Sequence, residues 1–436
     1  MAQQTTLDRD PPAADEPLRA NRDFSTLLVS QTVSAGGDAV SATALPLLVL
    51  ALTGSGVAMG TVSAINAGAD FVMGTVAGAL ADRGDRKRMM FLADLGRAIL
   101  TALIPISVFL HGPTMAVIVL VTAPLAVLRG FFRAGYLAAM PNLVGRSQLA
   151  RGNGILESAF SSAFIIGPAI AGFLVTIIGP GETLAVDAGS FAVSSLGLFL
   201  IRRDLKAPSN RPATRIVDDI REGVVYVVRH PVLRTVVLVF ALTSAGLSSI
   251  SAAMTFRLVR DLGESPAAFG LTLTGLGVGT LVGALAAARL GPRSDVRRVM
   301  VICVLFMGAP IAAMAAIPSL PVIIVLTAIA GAAEGALVVV YVSVRAANSP
   351  DELVGRIAST ARVISLGLMP IGSLIGGVLI DTVGGTMTLA ILGAEICVLA
   401  AIFSRAGGLR TASLAGSAAE RPVLEPVLPI SDGPEL

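Results

Sequence analysis

Residues 78–88 read Gly-Ala-Leu-Ala-Asp-Arg-Gly-Asp-Arg-Lys-Arg, a charged knot between apolar runs at 55–80 and 89–110. Gly78 opens it with a residue small enough for helix backbones to approach closely. Asp82 can pair across a membrane mouth or cap the N-terminus of a facing helix. Arg83, Arg86 and Lys87 suit the anionic inner leaflet of a bilayer, and Arg88 reads as one more base of the same loop. A segment this polar cannot sit in lipid, so its two apolar neighbours must be membrane spans that it connects.

The rest of the chain has the same rhythm. Of 436 residues 54% are apolar and 14% charged, with a mean hydropathy of +0.82. Soluble proteins carry about 45–50% and about 25%. A soluble enzyme, a nucleic-acid binder and a disordered scaffold are excluded. Spans of about 20 apolar residues are needed to cross a bilayer, and windows of that size fall at 24–52, 55–80, 89–110, 114–137, 154–178, 183–201, 232–256, 266–288, 299–317, 321–344, 358–380 and 386–404. Lipid offers no partner for open backbone groups, so these are helices. The expected fold is all-α and integral to the membrane: twelve transmembrane helices in two six-helix bundles.

All but two of the 32 bases are arginine, and they follow the even-numbered spans: Arg83 to Arg88, Arg146 and Arg151, Arg202 to Arg234, Arg289 to Arg298, Arg345 and Arg356. The odd loops carry only Arg257 and Arg260. The positive-inside rule therefore places both termini in the cytoplasm, and accounts for the basic charge without nucleic acid. The organisation reads as an N-terminal tail (1–23), a first bundle (24–201), a basic central loop with an amphipathic helix (202–231), a second bundle (232–404) and a disordered cytoplasmic tail (405–436). The polar N-terminus argues against a cleaved signal peptide. Cys303 and Cys397 lie in apolar segments and read as small core residues. The Ala-, Gly- and Arg-rich usage points to a bacterial cell (inner) membrane.

The halves repeat at an offset of 205 residues: Gly78 pairs with Gly283, Arg151 with Arg356, Gly167 with Gly372, Gly172 with Gly377 and Gly179 with Gly384. Two duplicated bundles with a pathway between them is a transporter's architecture.

The 78–88 segment resembles the signature loop between helices 2 and 3 of the major facilitator superfamily, with Asp85 where a second glycine is usual. Its D-R-x-D-R form is similar to the bacterial drug and siderophore exporter branch, which includes enterobactin exporters, macrolide efflux proteins and Tap multidrug pumps. PNLVGRSQLARGNG (141–154) and the run 355–381 resemble that branch too, while the family's Pro-Ala-Arg at the foot of helix 4 is replaced by Ala134, Gly135 and Tyr136. Gly167, Pro168 and Gly172 resemble the exporters' antiporter motif in helix 5, with Ala171 for one glycine. The proline frees a carbonyl and bends the helix. The resemblance implies export by alternating access, and a monomer.

Ionisable groups inside spans are costly and mark function by default. Asp38, Asp70 and Glu334 lie mid-span and are candidates for proton coupling or for binding a substrate cation. Arg129 is similar in placement to the superfamily's helix 4 arginine of proton transfer. Asp94 and Arg97, three apart, share a helix face and can pair, as Arg129 and Arg133 share theirs. Glu157, Asp187 and Arg362 lie nearer span ends and read as interfacial or structural. No phosphate-binding loop, metal-ligand spacing or catalytic set appears, so no enzyme, cofactor or metal is expected, and the proton gradient is the expected energy source. The expectation is a proton-driven exporter (a drug:H+ antiporter) of amphipathic drugs or natural products, with the small molecule, protons and the bilayer as partners. Two alternatives stand beside it: a dedicated exporter of one endogenous metabolite such as a siderophore, and a non-transporting sensor or assembly partner.

Overall fold

The computed structural model describes residues 18, 20–81, 85–145, 147–203, 205, 216–291, 294–350, 353–410 and 412. The first half holds α1 (Arg22–Thr53), α2 (Gly56–Ala81), α3 (Arg86–Phe109), α4 (Thr114–Val144), α5 (Leu149–Ile178) and α6 (Pro180–Leu200). Then come α7 (Ile216–Arg229), α8 (Pro231–Leu247), α9 (Ile250–Thr255), a π-helical turn (Phe256–Asp261), α10 (Pro266–Ala287), α11 (Val296–Ala316), α12 (Leu320–Ala347), α13 (Val354–Gly367), α14 (Met369–Phe403) and α15 (Gly407–Arg410). Among the described residues ten helical stretches are long and apolar enough to cross a membrane. Pro231–Asp261 and Val354–Phe403 are two of them, each interrupted.

Polar residues fix where the helices start. Asn21 accepts from Phe24 N at 3.0 Å and Ser265 from Ala268 N at 3.2 Å, each satisfying an orphan donor of a first turn. Asp85 accepts from Arg88 N and Asp295 from Arg298 N, both at 3.0 Å. Asp85, which stands where the signature loop usually has glycine, is thus the cap of α3, and Asp295 does the same for α11 in the other half.

The glycines paired by the 205-residue offset do paired work. Gly167 sets α5 on α1 at Ala39, and Gly372 sets α14 on α8 at Ala245. Five residues on, Gly172 meets Pro266 and Gly270 of α10, while Gly377 meets Gly56 and Gly60 of α2. The first pair therefore packs within its own half, and the second pair packs across to the other half. Gly179 (φ 91°) and Gly384 (φ 81°) adopt left-handed backbone about two turns later, where a Cβ would be strained. Gly179 ends α5, and Gly384 breaks α14.

Two expected spans are not continuous. The 232–256 window is broken at Ser248 and Ser249 between α8 and α9, and runs on through the π-turn to Asp261. Ser249 Oγ donates to Gly372 O at 2.7 Å, giving a carbonyl beside that glycine contact a second partner. The 358–380 window is broken at Leu368, between α13 and α14. Residues 216–229 are helical as α7, which lies against α13 and α8.

Candidate functional site

Among the described residues two cavities open where the two halves face each other and a third lies within the second half, and neighbouring cavities share wall residues. The first, about 300 Å³, is lined by Asp38, Arg97, Arg129 and Asp187 together with apolar side chains of α1, α2, α3 and α4. The second, about 560 Å³, is lined by Asp70, Arg129, Arg133 and Arg362. The third, about 270 Å³, belongs to the second half and contains Glu334. Arg129 separates the first two, Ser251 touches the first and third, and Ser248 and Met369 touch the second and third.

Arg97 on α3 organises the first wall. Its guanidinium donates to Asp38 Oδ1 at 2.6 Å and to Asp94 Oδ1 at 3.3 Å. It lies 3.8 Å from the centroid of the Phe191 ring, a cation–π contact. Ser194 Oγ donates to Asp94 and in turn accepts from Gln31 Nε2 at 2.9 Å. Asp187 on α6 accepts from Ser41 Oγ and from Ser190 Oγ, the latter at 3.2 Å. Arg97, Asp94 and Asp187 are buried, while Asp38 keeps 34% of its side chain exposed and reaches the cavity. Gly37 permits this grouping, because a Cβ there would lie 2.6 Å from Asp187 Oδ1 and push α1 off α6. Three carboxylates thus surround one guanidinium. One guanidinium cannot match three carboxylates charge for charge.

Asp70 and Arg129 form the second ion pair. Arg129 donates through Nε at 3.3 Å and Nη2 at 2.7 Å, a two-pronged contact, and Nη2 also reaches Asn66 Oδ1. Both side chains are about two-fifths exposed to the cavities, as a pair that breaks and re-forms would need. Arg133 shares the α4 face and lines the same space.

Glu334 stands apart from both pairs. Among the described residues no cation or hydrogen-bond donor lies on its carboxylate.

At the opposite end, around the turn Gly54–Ser55, the halves close. Pro168 and Gly172 of α5 pack on Gly270, with Pro168 O in contact there, and Gly56 and Gly60 of α2 pack on Gly377. The Asp381 carboxylate of α14 takes the free amides at the start of α2, Gly56 N and Val57 N (3.0 Å), and the Ser55 hydroxyl at 2.7 Å. Arg260 reaches back from the second half to Gly54 O.

The signature segment lies at the other end. Asp82 and Arg83 lie outside the described residues, and nothing is assigned to Gly78 beyond its place in α2. Arg86 is buried and donates to Ala138 O at 2.8 Å, while Lys87 Nζ reaches Phe199 O at 3.2 Å and Ile201 O. Arg86 therefore binds a carbonyl within the last two turns of α4 and Lys87 those at the end of α6, so both bases are tied to the protein.

Sequence spacing groups Asp94 with Arg97 and leaves Asp38 separate, whereas the structure joins all three and adds Asp187. Asp187 lies seven residues into α6 and so reads as interfacial; it is buried because α1 and α3 cover that turn. Arg362 likewise faces a cavity, and Glu157 is exposed. Nothing in the local sequence marks Asn66 or Ser194; Asp381 lies four residues after the glycine-rich run 372–377, the one local signal that it closes a helix contact.

A family model described as transmembrane secretion effectors matches residues 13–431. The multidrug efflux pump Tap of Mycobacterium tuberculosis (strain ATCC 25618 / H37Rv) is 30% identical over 91% of this chain and 96% of its own. Tap of Mycolicibacterium fortuitum is 29% identical over 82% of this chain and 89% of its own. Among solved structures, a bacterial homologue of the human lysosomal transporter Spinster, inward-facing and unoccupied, superposes with a TM-score of 0.72 at 14% identity, covering 90% of this chain and 98% of that one.

Proposed function

The chain belongs to the major facilitator superfamily, among its transmembrane secretion effectors, and from that premise we propose that it exports amphipathic small molecules across a bacterial cell membrane in exchange for protons. The observation that carries this reading is the group of buried Asp94 and Asp187 and cavity-facing Asp38 around Arg97, set in the wall of a cavity between the halves. Its likeness to the Tap pumps supports drugs as cargo.

In this reading the chain crosses the bilayer twelve times: α2 is one crossing, Val354–Phe403 is two, and lipid covers exposed side chains such as Leu120, Phe173 and Leu196. The positive-inside loops put both termini in the cytoplasm. The Gly54 end is then the outer face, closed by α5 on α10 and α2 on α14, and the cavities face the cytoplasm. Substrate enters there. A proton arriving from outside neutralises one carboxylate around Arg97, weakens the ties between α1, α3 and α6, and shifts the balance between inward- and outward-open states. One charge moved across the membrane is worth about 2.3 kcal/mol per 100 mV. Asp70 and Arg129 form a second link that must open when α2 moves relative to α4.

Inside-out vesicles with an imposed pH gradient test this, using ethidium and a panel of amphipathic drugs. Uptake that collapses with the gradient, and that Asp38→Asn abolishes, is the expected result. Uptake indifferent to the gradient would overturn the coupling. Silence across the panel from folded protein would redirect the reading to a dedicated exporter of one metabolite.

A further inference from the structure

The cavity of about 560 Å³ carries unbalanced charge: three guanidiniums line it, those of Arg129, Arg133 and Arg362, against the one carboxylate of Asp70. Asp70 is already taken by Arg129, which also holds Asn66. Arg133 and Arg362 are exposed, and among the described residues neither makes an ion pair or a hydrogen bond. The formal charges that act on Arg362 are those of Arg133 and Arg345, both of its own sign, and Arg345 is turned onto the Tyr341 ring at 5.2 Å. The two arginines come from different halves, Arg133 from α4 and Arg362 from α13. Like charges that share one water-filled space repel, and the repulsion grows as the space narrows and water leaves. A guanidinium meets an oxyanion through parallel N–H bonds in a fixed fork, and an oxyanion placed between two guanidiniums has acceptor oxygens for both. The rest of the wall includes the apolar side chains of Met73, Leu137, Leu366 and Met369.

We propose that Arg133 and Arg362 form a subsite for the oxyanion of an amphipathic molecule, a carboxylate, sulfonate or phosphate, which bridges the two halves. The apolar body of the ligand lies along Met73, Leu137, Leu366 and Met369, in a volume within the range of about 300–1,000 Å³ usual for ligand pockets. Bridging turns the repulsion between α4 and α13 into attraction, so the cavity closes more readily when occupied than when empty. The subsite names anionic amphipaths as cargo of the exporter proposed above and rests on that reading for the direction of travel, but binding itself can be measured without transport. The oxyanion has two sources, a solute from the cytoplasm or an anionic lipid from the inner leaflet, and nanodisc composition separates them.

The test is equilibrium binding to the purified full chain in phosphatidylcholine nanodiscs, with naproxen as an aryl carboxylate and its carboxamide as a neutral relative. Protein-free nanodiscs supply the partitioning background. Arg133→Gln and Arg362→Gln should each weaken naproxen binding at least tenfold, about 1.4 kcal/mol, and leave the carboxamide unchanged. The double variant should lose less than the product of the two single losses, because one anion held between two arginines couples them. With both arginines intact, spin labels at the exposed Asn153 of α5 and Ser359 of α13 should shift to shorter distances with naproxen and not with the carboxamide. Equal naproxen affinity in wild type and both glutamine variants overturns the proposal. So does a wild type that binds naproxen no better than the carboxamide, or a distance distribution that naproxen leaves unchanged. Replacing phosphatidylcholine by phosphatidylglycerol then names the source. Unchanged naproxen affinity assigns the subsite to a solute, whereas a loss seen in wild type and absent in Arg362→Gln assigns it to a lipid phosphate. If naproxen binding ignores both arginines while gradient-driven drug uptake persists, the subsite falls and the exporter reading stands. If binding holds and uptake is absent, the exporter reading fails and the subsite stands.

Discussion

Arg97 in the first half and Gly283 in the second hold neighbouring helices together by opposite means. Around Arg97, α1, α3 and α6 are joined by charge: two ion pairs and hydroxyl bonds tie together polar groups that lipid would reject. Around Gly283, α10 and α12 are joined by closeness: Gly275, Gly279 and Gly283 meet Ile324, Ala328 and Ala332, and Gly331 and Gly335 return the contact on Leu276 and Thr280. The first half therefore keeps charged groups as part of its structure. The second half also uses charge, Arg257 on Thr386 and Arg356 on Glu222, but the contacts that join α10 to α12 use none. The two halves of one fold thus bring helices together by different chemistry.

The largest expected effect comes from breaking the close-packed seam. Gly283→Leu puts a branched side chain where the Ala332 backbone already lies. That is backbone overpacking, with a cost beyond about 3 kcal/mol, so folded yield on size-exclusion chromatography should fall to near zero. A monodisperse peak at wild-type yield would show that α10 and α12 can separate freely, and the contrast between the halves would go.

Breaking the charged seam should cost nearly as much. Arg97→Met strands Asp38 and Asp94 beside a buried apolar stem, and removal of one partner of a buried pair costs about 3–5 kcal/mol. The thermal unfolding midpoint in detergent should drop by several degrees. Adding Asp94→Asn should restore part of the loss, because the orphaned charge is then removed; a double variant no more stable than Arg97→Met would count against the charge account.

Asp38→Asn tests what the charged seam is for. It should abolish gradient-dependent uptake while equilibrium binding of a transported panel drug stays within about twofold of wild type, because the group around Arg97 is proposed to carry the proton and not the drug. Loss of both together would mean that one site serves proton and cargo.

The smallest effect concerns the closed end. Asp381→Asn weakens a carboxylate cap on α2, worth about 0.5–2 kcal/mol. Spin labels at the exposed Thr53 and Thr382 should then show a larger population of long distances, with the protein still folded. An unchanged distance distribution would remove Asp381 from the closing contact and leave the glycine seams to hold that end alone.

Much of the architecture was legible because lipid acts on every residue in the same way. Apolar length, the arginine-bearing loops and the 205-residue glycine repeat are local or periodic, and α1, α2, α3 and α6 begin and end within three residues of the expected windows, while α4 runs seven residues past its window and α5 starts five before its own. Breaks inside a window escaped: nothing in the hydropathy of 232–256 marks Ser248 and Ser249 as a gap, since serine is tolerated in a membrane helix. The site was legible residue by residue and illegible as a set. Asp38 and Arg97 lie 59 residues apart, and so do Asp70 and Arg129. Each pair joins helices two apart in order, α1 to α3 and α2 to α4, and no spacing rule for a single helix reaches that far.

The sequence by itself determined that this chain belongs in a membrane, that it is built from two copies of one unit, and which carboxylates stand mid-span, because transfer out of water is a property of composition and run length. Only the tertiary structure decided which carboxylates are matched by arginine and which are not. That depends on how each helix is rotated about its axis and on how near small residues such as Gly37 and Gly283 allow its neighbours to come.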